Sequence, residues 1–145
     1  MIVKSFEDTI KTLKSFEIID VTSKVEGFVK ESDVTEGVVN IISKHTTAAI
    51  RVNENEPLLF KDIELHVDSL AQGNGYHHDR ILERKDCPEN EPKNAHAHLK
   101  ALLMGASETL PVKEGKISLG KWQRILFLEL DGPRERTYTV VVMGK

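Results

Sequence analysis

Histidines are concentrated in one stretch of the chain, where their side chains could bind a metal ion. Four of the six histidines fall within residues 76–99, in Tyr76-His77-His78-Asp79 and Asn94-Ala95-His96-Ala97-His98, on both sides of a polar loop. A fifth, His45, heads a second polar cluster, His45-Thr46-Thr47-Ala48. Neutral imidazole is the commonest side-chain ligand of divalent transition metals, and catalytic zinc often combines three protein ligands with a water. This pattern indicates a site that closes around a metal ion.

Backbone geometry divides these histidines. If Asn94 caps a helix, His96 and His98 point about 200° apart around its axis, so a regular helix cannot direct both at one ion. His98 shares a face with apolar residues and is the better inward ligand. In an extended segment, His77 and His78 face opposite sides. The alternative is a set of surface histidines in a His-rich loop, because no His-Glu-x-x-His motif and no cysteine pair is present.

Other polar residues at strand ends and turns are also candidates for chemistry. Asn53-Glu54-Asn55-Glu56 follows a predicted strand, although a solvated turn that starts the next helix is the simpler interpretation. Glu129 interrupts an apolar run, so its carboxylate either faces solvent or is held inward by a cation or a metal. Arg134 follows the turn-like Asp131-Gly132-Pro133 and could bind a phosphate or carboxylate, with an ordinary surface arginine as the alternative.

Several classes of function are disfavoured by what the sequence lacks. No P-loop, no GxGxxG and no GxSxG motif is present, which argues against Walker-type nucleotide hydrolysis and serine chemistry. The single cysteine, Cys87, has acidic neighbours that do not favour a thiolate, and a lone cysteine is typical of a reducing compartment. Trp122 is expected in a core or an interface.

Composition predicts one soluble domain spanning residues 1–145. Apolar residues make up 39% and charged residues 30%, and no apolar run approaches the roughly 20 residues that span a bilayer. Charged residues interrupt the first ten positions, so no signal peptide is expected. The net charge of −3 has both signs interspersed, leaving no basic face for nucleic acid. We therefore expect a cytoplasmic protein with no nucleic-acid or membrane partner.

Hydrophobic periodicity predicts three helices. The first begins after Asp20 or Thr22. The second starts at Pro57, with Leu59, Ile63, Val67 and Leu70 as its buried stripe and His66 packed beside that stripe. The third runs from the Asn94 cap to Met104 and ends at Gly105, with Ala95, His98, Leu99 and Leu102 on one face.

Strands are predicted between these helices and after the last one. They cover residues 3–8, 13–20, 38–42, 49–52, 111–115, 117–119, 124–130 and 137–142. The β-branched run at 38–42 is expected as a central strand covered on both faces, with 49–52 as its antiparallel partner. Residues 73–92 read as an irregular connection. The order of elements indicates an α+β fold with a mostly antiparallel sheet and helices on one side.

Taken together, the polar motifs resemble those of the YjbQ family, often labelled secondary thiamine-phosphate synthase. The resemblance covers nearly the whole chain and rests on His45-Thr46-Thr47-Ala48-Ala49, Val52-Asn53-Glu54-Asn55-Glu56-Pro57, Tyr76-His77-His78-Asp79, Asn94-Ala95-His96-Ala97-His98-Leu99-Lys100, Leu119-Gly120-Lys121-Trp122-Gln123 and Asp131-Gly132-Pro133-Arg134. It implies a small α+β domain of β-sandwich character with about three helices, assembled as a homotrimer.

The resemblance also implies a site. A divalent metal, expected to be zinc with magnesium as the alternative, would be bound by His45, His78 and His98 near a subunit interface. Glu54, Asn53, Gln123, Glu129 and Arg134 would surround it as catalytic residues.

The implied activity joins a pyrimidine diphosphate to a thiazole phosphate and releases pyrophosphate. Arg134, nearby lysines and a metal could stabilise the leaving oxygens. An all-histidine ligand set suits zinc better than magnesium, so a zinc-dependent hydrolase is one alternative. A non-catalytic trimer that binds a metal or a small ligand is the other.

Overall fold

Two antiparallel sheets pack face to face, and two helices cover the outer face of the smaller sheet. The computed structural model describes all 145 residues. Its strands are β1 (Ile2–Lys11), β2 (Glu17–Asp20), β3 (Glu36–Ser43), β4 (Ala48–Asn53), β5 (Ser107–Lys113), β6 (Lys116–Ile117), β7 (Arg124–Glu129) and β8 (Glu135–Gly144). Its helices are α1 (Thr22–Ser32), α2 (Pro57–Leu70), a 3-10 helix (His77–Glu83) and α3 (Ala95–Met104). The predicted α+β class with mostly antiparallel, sandwich-like sheets is confirmed.

The larger sheet has the strand order β1-β8-β3-β5-β6, and the smaller sheet has the order β2-β7-β4. Strand β8 alternates strictly: Arg136, Tyr138, Val140 and Val142 are buried, while the residues between them are partly exposed. This period of two directs one face of the larger sheet inward, as expected for a sheet with a single covered face. The main apolar core lies between the two sheets and includes Val25 and Val29 of α1.

The opposite face of the smaller sheet forms a second apolar cluster with α2 and α3. Leu126 and Leu128 of β7 pack there against Val67 of α2 and Ala97 of α3. The central strand β7 is therefore covered on both faces. The prediction that all helices lie on one side of the sheet is wrong. Helices α2 and α3 pack on the outer face of the smaller sheet, whereas α1 packs into the main core.

Strand β4 does not pair with β3, which corrects the predicted pairing of 49–52 with 38–42. Strand β3 is flanked by β5 and β8, so both of its hydrogen-bonding edges are already used. Strand β4 instead crosses to the smaller sheet and pairs with β7. The prediction that β3 is covered on both faces is also wrong, since Ile42 on its outer face is 39% exposed.

The helix ends follow the sequence closely, whereas the buried faces do not. Pro57 opens α2, preceded by Glu56, whose carboxylate accepts hydrogen bonds from two backbone N–H groups of the first turn. In α2 only Val67 of the predicted stripe is fully buried, and His66 is exposed rather than packed. The side chains that α3 buries are Ala95, Ala97, Lys100 and Ala101. Contrary to prediction, Leu99 and Leu102 are exposed.

Some segment boundaries differ from prediction as well. Strand β1 extends to Lys11, and of the predicted strand at 13–20 only Glu17–Asp20 forms. The connection at 73–92, expected to be irregular, contains the 3-10 helix, in which the Asp79 carboxylate accepts a hydrogen bond from the Tyr76 N–H. No helix combines the length and apolar character that crossing a membrane requires.

Candidate functional site

The predicted site residues are divided between the two ends of the smaller sheet. Strands β4 and β7 pair from Ala48 opposite Glu129 to Asn53 opposite Arg124. Five residue steps at about 3.3 Å each separate these ends by about 17 Å. His45, Glu129 and Arg134 therefore lie near one end of the sheet, and Asn53, Glu54 and Gln123 lie near the other. A single chain does not bring the predicted set together.

A polar cavity of about 350 Å³ marks the first end, and we call it the donor pocket. None of its lining side chains is aliphatic or aromatic, apart from proline and histidine. The lining residues are Lys44, His45, Thr46, Thr47, Glu91, Pro92, Asn94, His98, Arg134 and Arg136. They come from the β3–β4 connection, the start of α3 and the β7–β8 connection, so the sheet end gathers three distant parts of the sequence.

His45 is held in one orientation by the backbone. Its Nε2 accepts a hydrogen bond of 2.8 Å from the Thr137 N–H. Burial, together with the nearby Arg136, lowers the pKa of His45 and favours the neutral ring. A neutral imidazole has one lone pair, so accepting at Nε2 leaves Nδ1 protonated. His45 therefore offers the donor pocket an N–H group, and its lone pair is already used.

A chain of hydrogen bonds links Arg134 to the histidines of the 76–99 stretch. Arg134 donates to Asp131 through Nη2 at 2.8 Å, and the Asn94 amide donates to the same carboxylate oxygen at 2.7 Å. The Asn94 carbonyl then lies 3.3 Å from His78 Nε2. Because a carbonyl only accepts, His78 Nε2 carries a proton, and in the neutral ring the lone pair is on Nδ1. The His98 ring lies edge-on to His78, with 4.8 Å between the centroids.

His98 contributes a neutral imidazole to the donor pocket. Burial lowers its pKa, and the neighbouring His78 lowers it further. At neutral pH such a ring can accept a proton, as a general base does. Asn94 occupies the predicted helix-cap position, yet its side chain makes no capping hydrogen bond because it is bonded to Asp131 and His78 instead.

A buried ion pair fixes the floor of the donor pocket. Glu129 is fully buried, and Arg136 binds both of its carboxylate oxygens, one of them through Nε at 2.7 Å. Burial alone would raise the pKa of Glu129, but hydrogen bonds from Arg136, the Asp131 N–H and Thr12 outweigh it and lower that pKa. Arg136 also donates to the Thr47 hydroxyl at 2.9 Å. The pair therefore ties the loop that carries His45 to β7 and β8.

The sequence indicated part of this arrangement and missed the rest. Of the two options for Glu129, the structure has the carboxylate held inward by a cation. That cation, Arg136, was not predicted. It alternates along β8 with the same period as Tyr138 and Val140, so its side chain points to the same inward face. Nothing in the local sequence indicated that Asp131 and Asn94 would meet.

At the other end of the sheet, the two predicted amides stabilise turns. Asn53 accepts a hydrogen bond from the Glu54 N–H at 2.8 Å, and Gln123 accepts one from the Gly120 N–H at 2.7 Å. Glu54 lines a separate cavity of about 300 Å³, which we call the Trp122 cavity. Its lining residues are Asp20, Glu54, Asn55, Lys121, Trp122 and Arg124. Trp122 is 65% exposed, so it belongs to no core of the chain.

The residues present do not form the three-histidine metal site that the resemblance implies. No group of three or more histidine, cysteine, aspartate or glutamate side chains is arranged to hold a metal ion. His78 and His98 are adjacent, but the lone pair of His45 is committed to the Thr137 N–H. His96 lines a different cavity, with Asp68 and Lys100. A divalent metal therefore stays a prediction, and we derive no chemical step through it.

The fold and the site define a class of protein: an α+β sandwich with a polar, donor-lined cavity at the end of its smaller sheet. Residues 7–145 match the family described as UPF0047 protein YjbQ-like, and the chain belongs to that family. A UPF0047 protein from Archaeoglobus fulgidus is 47% identical over 135 residues, which cover 92% of this chain and 97% of the relative. One from Methanothermobacter thermautotrophicus is 40% identical, with coverage of 100% and 95%.

Solved structures agree with the fold. A YbjQ-like protein of unknown function from Sulfolobus solfataricus superposes with a TM-score of 0.89 at 38% identity, covering 99% of this chain and 98% of its own. The predicted family and fold are both confirmed.

Proposed function

We propose that the donor pocket binds the phosphate or diphosphate group of a small phosphorylated substrate. The observation that carries this proposal is an excess of free hydrogen-bond donors in a cavity that no hydrophobic residue lines and whose single carboxylate is that of Glu91. Phosphate oxygens only accept hydrogen bonds, so a pocket of donors matches them and disfavours most neutral ligands.

Arg134 is the main candidate for the phosphate contact. It uses Nε and Nη2 to bind Asp131, whereas its Nη1 has no acceptor within the chain, and the side chain is 41% exposed. The His45 Nδ1–H and the Thr46 hydroxyl are also without partners in the chain. Lys44 binds only the exposed Glu7, a pair that contributes little in water. These four donors can turn to a ligand without breaking a buried interaction.

The candidate reaction is the joining of a pyrimidine diphosphate to a thiazole phosphate. In that reaction the carbon–oxygen bond to the diphosphate breaks, and a bond forms between the same carbon and the thiazole nitrogen. The departing diphosphate takes the bonding electrons as negative charge. Donors fixed around its oxygens before the reaction stabilise that charge, and such electrostatic stabilisation accounts for most of the rate enhancement in many enzymes. Arg134 and the His45 N–H supply such donors here.

Binding of inorganic pyrophosphate, followed by calorimetry, tests the phosphate site. We expect saturable binding to the unmodified protein and about tenfold or weaker affinity in Arg134→Gln, because a charge-assisted hydrogen bond is lost. The matched control is Arg84→Gln, which removes an exposed arginine bonded to Asp86. Equal affinities of the two variants, or no binding at all, would overturn the proposal.

Turnover tests the reaction separately from the binding site. Purified protein with the pyrimidine diphosphate and the thiazole phosphate should form thiamine phosphate, and Arg134→Gln should form it more slowly than Arg84→Gln. Pyrophosphate binding without any product would leave the phosphate site standing and reject the reaction.

A zinc-dependent hydrolase is supported by one observation, the proximity of His78 and His98 with a free lone pair on His78 Nδ1. Two imidazoles leave a zinc site short of the usual three protein ligands. If this alternative holds, phosphate-ester hydrolysis requires added zinc and is abolished in His98→Ala. Assembly as a homotrimer, which would bring a second chain to the site, is proposed with it and is tested by sedimentation.

A further inference from the structure

A third cavity, of about 330 Å³, lies between α2 and the outer face of the smaller sheet. Its floor is formed by Leu126 and Leu128 of β7 and Val67 of α2, each at most 2% exposed. We call it the Arg51 groove, after the only arginine or lysine that lines it. It shares no lining residue with the donor pocket or the Trp122 cavity. Because its lining is mostly hydrophobic, it favours a small ligand with an apolar body.

Arg51 places a positive charge on the helix-covered face of β4. Side chains alternate along a strand, and here Ala48 and Ile50 belong to the main core, whereas Ala49 belongs to the second apolar cluster. Arg51 shares the face of Ala49, so its side chain lies on the side where α2 and α3 pack. Gly105 leaves room for the guanidinium, because a Cβ at that position would lie 3.0 Å from Arg51 Nη1.

Most of the hydrogen-bonding capacity of Arg51 is unused within the chain. Its ion-pair partner is Glu108 of β5, 3.3 Å from Nη1, and the other N–H groups of the guanidinium have no acceptor. The Arg51 side chain is 43% exposed, so this ion pair is weak. The acidic residue that lines the groove, Asp62, is exposed on α2, where water screens its charge. The guanidinium is therefore free to bind a carboxylate through two of its N–H groups.

We propose that the Arg51 groove binds a medium-chain aliphatic carboxylate, whose chain lies on the apolar floor and whose carboxylate pairs with Arg51. Charge complementarity selects this ligand, because a neutral apolar molecule would leave the guanidinium unpaired. The volume of about 330 Å³ is at the lower end of the range for ligand pockets and favours a chain of about eight carbons over a long-chain lipid. The site stands independently of the phosphate proposal, because a different set of residues forms it.

Calorimetry with octanoate tests the site, and 1-octanol is the uncharged probe of the same chain length. We expect saturable octanoate binding with a dissociation constant on the order of 1 mM, as for a very small ligand. Binding of 1-octanol should be about tenfold weaker, because a hydroxyl cannot form the charged pair with Arg51. No saturable octanoate binding, or equal affinities for the two probes, would overturn the proposal.

Two substitutions at the ion pair are expected to act in opposite directions. Arg51→Gln removes the guanidinium and should weaken octanoate binding about tenfold, whereas the matched control Arg84→Gln removes an exposed arginine outside the groove and should leave it unchanged. Glu108→Gln removes the competing carboxylate and should strengthen octanoate binding about threefold. None of these variants should change 1-octanol binding. If the pair had only a structural role, Arg51→Gln and Glu108→Gln would shift octanoate affinity in the same direction, and that result would reject the assignment.

The apolar part of the groove is tested at Ile63 of α2. Ile63→Ser should weaken binding of both probes about fivefold, because less apolar surface is buried on binding. Leu58→Ser removes an exposed leucine outside the groove and is the matched control. Equal affinities of these two variants would show that the ligand binds elsewhere. A second copy of the chain is the competing occupant: sedimentation would then show an assembly that Ile63→Ser dissociates and that does not bind octanoate, which would also overturn the proposal.

Discussion

Replacing Arg136 by methionine tests the role of the buried ion pair beneath the donor pocket. Glu129 is 0% exposed and Arg136 is 3% exposed, so the substitution leaves an ionised carboxylate buried without its partner. Removing one partner of a buried pair costs about 3–5 kcal/mol of the free energy of unfolding. The hydrogen bond from Arg136 to the Thr47 hydroxyl is also lost, which loosens the loop that carries His45.

Urea denaturation at neutral pH and fixed protein concentration measures this loss. In a thermal scan, at about 3 °C per kcal/mol for a chain of this length, the melting temperature should fall by about 9–15 °C. Arg84→Met is the matched control. Its arginine pairs with Asp86, and both side chains are more than half exposed, so the expected loss is at most about 1 kcal/mol. The double variant Glu129→Leu/Arg136→Met should be less destabilised than Arg136→Met, because no buried charge remains.

The loss of stability in Arg136→Met should also depend on pH in a defined direction. In the unmodified protein the pKa of Glu129 is lowered below 4.5, so its stabilising contribution is present above pH 4.5 and is lost as the pH falls through the lowered pKa. In Arg136→Met, burial is no longer outweighed and raises the pKa of Glu129, so the folded variant binds a proton more readily than the unfolded chain. The difference in the free energy of unfolding between Arg136→Met and the unmodified protein should therefore decrease as the pH falls toward 4.5. A deficit below about 1 kcal/mol at neutral pH, or one that grows on acidification, would refute the reasoning.

Three further predictions concern the histidines and their partners. Because the pKa of His98 is lowered in the folded protein, its stabilising contribution is present above pH 6.5 and is lost as the pH falls below that value. The free energy of unfolding of His98→Gln should therefore depend less on pH between neutrality and mild acid than that of the unmodified protein. Asn94→Ala should cost about 1–3 kcal/mol in urea denaturation and should release His78 from its Nε2-protonated form, seen as a change in its ring nitrogen chemical shifts. If a metal binds through the predicted ligands His45, His78 and His98, replacing each of them by alanine should lower the metal content measured by elemental analysis. The control His66→Ala should leave both the metal content and the stability unchanged. Unaltered metal content in all three variants would reject the assignment.

The elements that were predicted correctly are those with local chemical markers. Pro57 and Gly105 mark helix ends through their backbone preferences. As the sequence indicates, α2 begins at Pro57 and α3 ends at Gly105. The β-branched run in β3 also forms its strand as expected. Its partner could not be predicted, because hydrophobic alternation identifies a strand and its buried face but carries no information on which strand lies beside it.

The errors in α3 have a different cause. The prediction gave its buried face to the large apolar residues Leu99 and Leu102, whereas the helix approaches the sheet through alanines and Lys100. Small side chains allow close packing of a helix on a sheet, and periodicity of large residues does not reveal that choice. The predicted site residues lie at opposite ends of the six-residue strand β4. Sequence motifs do not give the distances between residues, so this separation could not be predicted.

The position of β8 in the larger sheet has a consequence for how the protein is made. Strand β8 lies between β1 and β3, and it pairs with β1 along ten residues, from Ile2 opposite Gly144 to Lys11 opposite Glu135. During synthesis on the ribosome, β1 and β3 leave the exit tunnel long before β8, so the sheet has a gap between β1 and β3 until β8 has emerged. Such long-range pairing slows folding and leaves strand edges open to wrong partners. Chaperone binding to the nascent chain should therefore be strongest while that gap is open.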